Sequence, residues 1–392
     1  MGSGQDAILI VAGEASGEMY GAELVEALQQ DRLDRPFRFF GCGGHQMEKA
    51  GVDILVDIEK TAVLGPLEAA AHLFHYLSAM KRLLRETLVR RAVLAILIDF
   101  PDFNLRLAEK LKTLGIPVVY FVSPQIWAWR THRVHQVKRS VDSMLVILPF
   151  EVEFYARFGV RVDYVGHPLV DRVKPTLDRA AFCLKYHLDP EGQFLSLLPG
   201  SRAKEIRYNL PILLHTARRI AWERPVHFLI PVASAGQVEK IQSLIQEETP
   251  DLPVTLVPND AYNAIWHSRL AVVSSGTATL EAALLEVPLI SVFRISNLTW
   301  IAGQYLVDVP YYCLVNLIAG EEIVPELFQQ DFTEERLWKE IRRFLDDEAL
   351  CNHVKMKLSS VREKLGTGGA IHRAADKIRE MLKGNATGST GA

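Results

Sequence analysis

Apolar runs of four to six residues alternate with longer helical patterns along most of this chain, and that alternation is the signature of parallel sheets wrapped by helices. In the first half the runs Ile8–Ala12, Phe37–Gly41, Leu94–Ile98, Val118–Val122, Met144–Leu148 and Val162–Val165 read as strands. The pattern restarts at Phe194–Leu198 and continues through Val226–Pro231, Val254–Val257, Leu270–Val273 and Leu289–Phe293. A chain of 392 residues has the length for two domains. The reading is therefore α/β, with two Rossmann-like parallel-sheet domains facing a cleft. They are predicted over 1–173 and 194–345, joined by a linker over 174–193 that carries Pro175 and Pro190. Helices are expected over 346–383, and the small polar stretch 384–392 has the composition of a disordered tail.

Charge and cysteine usage narrow the classes. Lys and Arg number 44 against 47 Asp and Glu, so no overall basic field exists to recruit nucleic acid. The four cysteines, Cys42, Cys183, Cys313 and Cys351, lie far apart without a C-x-x-C pair, which argues against a zinc knuckle or a disulfide framework. The start of the chain lacks the pattern of a secretory signal, and the expectation is cytoplasmic residence. No run has the length and apolarity of a spanning helix.

In open α/β sheets ligands gather beyond the carboxyl ends of strands, so the segments just after strands carry the functional signal. The first is Gly13-Glu14-Ala15-Ser16-Gly17-Glu18, in which Glu14, Ser16 and Gly17 are candidate cleft residues. A tight strand-to-helix turn accounts for the same glycines. The second is Ile98-Asp99-Phe100-Pro101-Asp102-Phe103-Asn104. A carboxylate at an apolar strand end has the surroundings that raise a pKa toward general-base duty, and Asp99 stands there; loop bracing is its alternative role. Asp102 precedes the helical pattern from Leu105 and is expected to cap it. The third, Ser123-Pro124-Gln125-Ile126-Trp127-Ala128-Trp129-Arg130, places two indoles beside polar groups, fit to stack on a sugar or acyl chain or to pack a domain face. His167, in Gly166-His167-Pro168, closes the domain as a site residue or a structural histidine.

The second half supplies two turns suited to phosphate. Leu198-Pro199-Gly200-Ser201-Arg202 joins a glycine-serine turn to a guanidinium, and Ser275-Gly276-Thr277-Ala278-Thr279-Leu280-Glu281 opens a helix with hydroxyls and places Glu281 for ribose. Gly200, Ser201, Arg202, Gly276, Thr277 and Glu281 form the predicted donor site, with Asn316 added from the segment Asn316–Leu327. Two capped helices are the plainer account.

Taken together and in order, GEASGE, IDFPDFN, SPQIWAWR, GHPL, LPGSR, SGTATLE and the NLIAG…PEL segment resemble the lipid-A-disaccharide synthases over nearly the whole chain. The resemblance implies an inverting, metal-independent glycosyltransferase of the GT-B type. It joins UDP-2,3-diacylglucosamine to 2,3-diacylglucosamine 1-phosphate (lipid X) through a β-1',6 linkage, releases UDP, needs no cofactor, and works at the inner face of the cytoplasmic membrane. It also implies that Asp99 is the essential carboxylate, that Arg202 serves UDP and that Glu281 binds the nucleotide. Two positions depart from the family pattern, Glu18 for Asp and His45 for Pro. Both read as loop positions.

No D-x-D occurs, and no His/Asp cluster has ligand spacing, so no metal site is expected and Arg202 with helix N-termini would balance a leaving diphosphate. A helical pattern over Leu64–Arg91 combines Leu67, Phe74 and Leu77 with Arg82 and Arg85, which suits an anionic membrane surface and equally suits a core helix with a basic end. A second copy of the chain stays open as a partner. Alternative activities on the same architecture are a UDP-sugar 2-epimerase and a non-catalytic UDP-sugar-binding protein.

Overall fold

The computed structural model describes residues 6–30, 37–57, 69–296 and 309–388. The chain divides into two compact units, Met1–Pro168 with Thr367–Ala392, and Leu169–Gly366. The first holds seven parallel strands: β1 (Ala7–Ala12), β2 (Arg38–Gly43), β3 (Val52–Asp57), β4 (Leu94–Ile98), β5 (Val118–Phe121), β6 (Ser143–Val146) and β7 (Asp163–Tyr164). Their order is β3-β2-β1-β4-β5-β6-β7. The second holds β8 (Gln193–Leu198), β9 (Val226–Val232), β10 (Val254–Pro258), β11 (Leu270–Ser274), β12 (Leu289–Phe293) and β13 (Glu326–Phe328), in the order β10-β9-β8-β11-β12-β13. Central strands such as Ala7–Ala12 and Leu94–Ile98 are buried along their whole length. Helices cover both faces of such a sheet, so these strands read as unbroken apolar runs. The two edge strands β3 and β13 escaped that reading because one mixes Asp53 and Asp57 into its run and the other has three residues.

The topology places the functional loops. In each sheet the order reverses beside the first strand, which brings β4 against β1 and β11 against β8, with Ala12 opposite Ile98 and Leu198 opposite Val273. The loops leaving these strand pairs are therefore neighbours at the switch point where α/β sheets collect ligands.

The structure corrects three expectations about segments. The stretch 174–193 is packed into the second unit: Asp178 accepts the Ala181 N–H to cap a helix over Arg179–Tyr186, and Phe182 of that helix is completely buried with Phe194 and Leu229. Pro190 lies in the turn after that helix, and Pro175 in the irregular stretch before it. The three C-terminal helices do not stay together, because Glu334–Asp346 and Glu348–Leu365 belong to the second unit while Ala370–Gly388 returns to the first. There Arg373 Nε donates to the Val165 carbonyl at 2.8 Å, and Ala374, Ala375 and Ile378 are fully buried. That last helix runs to Gly388, into the stretch expected to be tail. Glu18 lies in the first turn of the helix Ala15–Gln30, where its Oε1 accepts the Gln46 N–H at 2.7 Å; His45 opens the helix His45–Lys49. The two departures from the family pattern thus meet at one turn.

Within the second unit His215 bridges two helices, with Nε2 2.8 Å from Glu248 and Nδ1 2.9 Å from Glu334. Burial opposes its charge, yet the hydrogen bonds to Glu334 and Glu248 prevail and hold its pKa above 6.5. A raised histidine pKa stabilises the fold fully below the unfolded value and loses that contribution as pH rises through the folded value. The melting temperature lost on His215→Gln is expected to be larger at pH 6 than at pH 9 in thermal scans; an equal loss at both would refute the bridge.

Candidate active site

Asp99 follows directly on β4 in a left-handed conformation, φ 46°, and Phe100 after it has φ 52°. Non-glycine residues avoid this region unless their surroundings hold them there. Here the Asp99 carbonyl oxygen accepts Tyr120 Oη at 2.6 Å and Asn104 Nδ2 at 2.8 Å, and Asn104 Nδ2 also reaches the Ile98 carbonyl at 3.1 Å. Phe100 stacks on Phe103 and fills the place where a Cβ at Gly13 would lie, 2.1 Å from its ring. The glycine is needed for room. With its backbone fixed, the Asp99 carboxyl sits half-buried, and desolvation together with the charge of Glu14 raises its pKa to about 7, against the opposing Phe100 N–H. The structure therefore brings Glu14, Asp99 and Asn104 together, with Asn104 as a fully buried brace and Glu14 and Ser16 exposed. Gly17 packs beside Ile98 inside the first helix.

Asp102 is not the helix cap. Proline at the first helical position starts the helix at Pro101, one turn ahead of the expected start, and leaves Asp102 in the first turn facing outward. There it pairs with Arg130 at 3.1 Å and with Arg133; burial opposes its charge, but Arg133 and Arg130 outweigh it and hold the carboxyl below its usual range. Asp102 thus ties the Asp99 corner to the segment after β5. Arg130 in turn lies over Trp129, 4.2 Å from the ring centroid, and Gln125 is exposed. Ser123 is buried, its Oγ 2.8 Å from Tyr155 Oη. His167 is buried too, and burial lowers its pKa to about 4, so it is neutral at physiological pH.

In the second unit Gly200, at φ 117°, turns the chain out of β8. The adjoining N–H groups of Ser201 and Arg202 both donate to Glu205 Oε2, at 3.0 and 3.3 Å, while the Arg202 guanidinium lies 3.5 Å from Glu205 Oε1 and is largely exposed. The N–H groups of this turn are thus engaged by a carboxylate of the helix that follows. Beside it, Gly276 opens the helix Thr277–Leu284 with no atom within 4 Å of where a Cβ would stand, and Thr277 is exposed. Glu281 is half-buried; burial raises its pKa against the opposing hydrogen bond of Tyr262, 3.4 Å away, and the charge of Arg172. Asn316 departs from its expected part. It is fully buried, its Oδ1 accepting the Ile323 and Val324 N–H groups and its Nδ2 donating to the Val324 carbonyl and Glu326, so its amide is consumed in bracing the loop before β13.

Sequence reasoning missed Tyr120, Glu151 and Asn209. Asn209 Nδ2 donates to the Pro199 carbonyl at 2.8 Å and to Ser274 at 3.3 Å, and its Oδ1 accepts the Arg294 N–H, which ties the ends of β8, β11 and β12. A polar residue on the buried face of an amphipathic helix was the available signal. Among the described residues no group of three or more His, Cys, Asp or Glu side chains is placed to hold a metal ion, and no helix is long and apolar enough to cross a membrane.

Two parallel-sheet α/β units with loops at the switch points define the GT-B architecture. Solved structures share it: the UDP-GlcNAc 2-epimerase of Neisseria meningitidis has a TM-score of 0.62 at 11% identity, covering 96% of this chain and 99% of that one. The calicheamicin glycosyltransferase has a TM-score of 0.58 at 16% identity, covering 97% and 98%. The lipid-A-disaccharide synthetase family profile matches residues 8–376. Curated relatives named lipid-A-disaccharide synthase are 42% identical in Solibacter usitatus, over 97% of this chain and 98% of that one, and 43% identical in Geobacter sulfurreducens, over 96% and 97%. The chain belongs to the lipid-A-disaccharide synthase family of glycosyltransferases.

A carboxyl titrating near 7 serves as a base only once ionised, so kcat/KM is expected to fall below a midpoint of about 7. Asp99→Asn should lower kcat by roughly 10²-fold or more and abolish that limb. The sign for stability is opposite: a raised carboxyl pKa favours folding below 3.8 and loses that contribution as pH rises through about 7. The asparagine variant should therefore gain stability relative to the parent between pH 5 and pH 8, by denaturant titration. Retention of more than about a tenth of kcat would transfer the base role elsewhere.

Proposed function

We propose that this chain transfers a diacylated glucosamine from its UDP derivative to the 6-hydroxyl of a diacylated glucosamine 1-phosphate, forming the β-1',6-linked disaccharide and releasing UDP. The Asp99 corner carries the reading. A primary hydroxyl is a poor nucleophile at neutral pH, and a fixed carboxylate with a pKa near 7 is matched to take its proton as the oxygen attacks the anomeric carbon. The bond to UDP breaks as the new bond forms, with inversion. The acceptor is assigned to the segment carrying Trp127, Trp129 and Arg130. The donor is assigned to the turns at Gly200–Arg202 and Gly276–Thr277, with Glu281 toward ribose. Arg202 and the helix N-termini take up the leaving charge, so neither a metal nor an organic cofactor is required.

The substrates bring the protein to the inner face of the cytoplasmic membrane. In the helix Ala69–Val89, Leu77, Arg82 and Arg85 are exposed while Met80 and Leu83 are buried, so this part of the helix offers one face to the core and a mixed apolar and basic face to a lipid surface. Leu67 lies outside the described residues, as does the side chain of Phe74. Leu77→Ser with Arg82→Glu and Arg85→Glu should lower binding to phosphatidylglycerol vesicles in flotation assays while sparing turnover of detergent-dispersed substrate; unchanged flotation would leave the helix without this role.

UDP release that requires both the UDP-sugar and the lipid acceptor, with a disaccharide 1-phosphate in the mass spectrum, is the expected result. Conversion of the UDP-sugar alone would mark an epimerase, and binding without turnover a sensor. Arg202→Ala should weaken UDP binding about 30-fold in calorimetry, as expected for loss of a charge-assisted contact. Unchanged affinity would remove Arg202 from the donor site.

A further inference from the structure

The turn Leu148-Pro149-Phe150-Glu151 after β6 buries a carboxyl for which the transfer just described has no task. Glu151 is 1% exposed, and its Oε2 accepts the Leu148 N–H at 3.0 Å. Phe150 meets Trp127 edge to face, with centroids 4.9 Å apart. From the segment after β5, the Ser123 hydroxyl and the Trp127 indole N–H both lie near enough to favour the charged form of the Glu151 carboxyl, while Ser123 Oγ reaches the Pro124 carbonyl at 3.1 Å and the buried indole N–H has no hydrogen-bond partner. Ser123 Oγ also meets Tyr155, four residues along from Glu151 on the helix Pro149–Ala156. A buried carboxyl placed under a loop and approached by two of its side chains has a consequence for where that loop stands.

We propose that Glu151 is a positioning residue for the segment 123–130, setting Ser123 and Trp127 and, through them, the Trp129–Arg130 edge offered to the acceptor. The proposal rests on the acceptor reading of that segment. Burial lifts the carboxyl to about 8, against the Leu148 N–H hydrogen bond and the weaker pull of the nearby Ser123, Ile147 and Trp127 donors, so it is protonated at neutral pH. The titratable neighbours are Tyr155 on its own helix, pushed by burial well above its ordinary value, and Tyr164 on β7, pushed by burial to about 12, with Arg373 of the C-terminal helix acting on Tyr164. None of these changes charge near 8; Asp99 titrates lower, at about 7, and keeps its titration in Glu151→Gln, which tells the two apart. The neutral acid both donates and accepts; the ionised form accepts only, and draws the Trp127 N–H toward it.

Trp127 emission, isolated by subtracting spectra of Trp127→Phe, is expected to shift with a midpoint of about 8, and acceptor KM to change across the same range while donor KM holds steady. Glu151→Gln keeps the neutral shape without a titrating proton and should abolish both transitions. Glu151→Ala should raise acceptor KM about tenfold with donor KM nearly unchanged. If the alanine variant does not fold, the glutamine variant alone decides. Emission that stays flat from about pH 6.5 to about 9.5, or a transition that persists in Glu151→Gln, overturns the proposal. So does an unchanged acceptor KM in the Glu151 variants when Trp129→Ala and Arg130→Ala do raise it. If Trp129→Ala and Arg130→Ala also leave acceptor KM unchanged, the acceptor reading of the segment itself fails and the proposal falls with it.

Discussion

Two hydrogen bonds to one carbonyl oxygen, from Tyr120 and Asn104, hold the Asp99–Phe100 corner in a left-handed conformation that neither residue favours. Each such residue costs about 1–3 kcal/mol, so the corner persists only because its surroundings over-determine it. Much of the first unit's site depends on the result. The corner lets the helix begin at Pro101, turns the Asp102 carboxylate toward Arg130 and Arg133, and lays Phe100 into the gap left by Gly13. It leaves the Asp99 side chain half-buried and beside Glu14, and desolvation with that neighbouring charge is the source of its raised pKa.

The second unit solves a similar problem with a different residue. Three strands end at its switch region, and one buried amide, Asn209, takes the Pro199 carbonyl, the Ser274 hydroxyl and the Arg294 N–H. A buried amide left short of partners is costly, so the three strand ends are fixed relative to one another by the need to satisfy it. Nearby, the turn at Ser201–Arg202 fills its own N–H groups with the Glu205 carboxylate. Any anion bound at this turn would have to exchange with that internal carboxylate, and its net gain would be the difference between the two.

Electrostatics separates the carboxyls by their setting. Asp99 is half-buried and Glu151 buried, each with few cations at hand, and their pKa values rise to about 7 and about 8. Asp102 is more open and faces two arginines, so its value falls. The first pair can exchange protons near neutrality and the second stays a fixed charge, which is how one small region holds both a titrating group and a rigid tie.

The sequence by itself determined the two-sheet α/β architecture and most of its strands, because strands buried on both faces must be apolar along their length and turns after them must carry glycine and polar residues. It also singled out Asp99, the Gly200–Arg202 turn and the Gly276–Glu281 turn, since ligands gather where strands end. Packing decided the rest. That Asn104 and Asn316 brace loops, that Asp102 pairs with arginines and does not cap, and that Tyr120, Glu151 and Asn209 matter at all depends on which groups meet across strands and helices far apart in the chain. The helix Ala370–Gly388 looks like a neighbour of Glu348–Leu365 in sequence, yet it returns to the first unit because its Ala374, Ala375 and Ile378 face is buried there and Arg373 finds the Val165 carbonyl. Periodicity announces that a helix has an apolar face; only the tertiary structure says which surface that face covers.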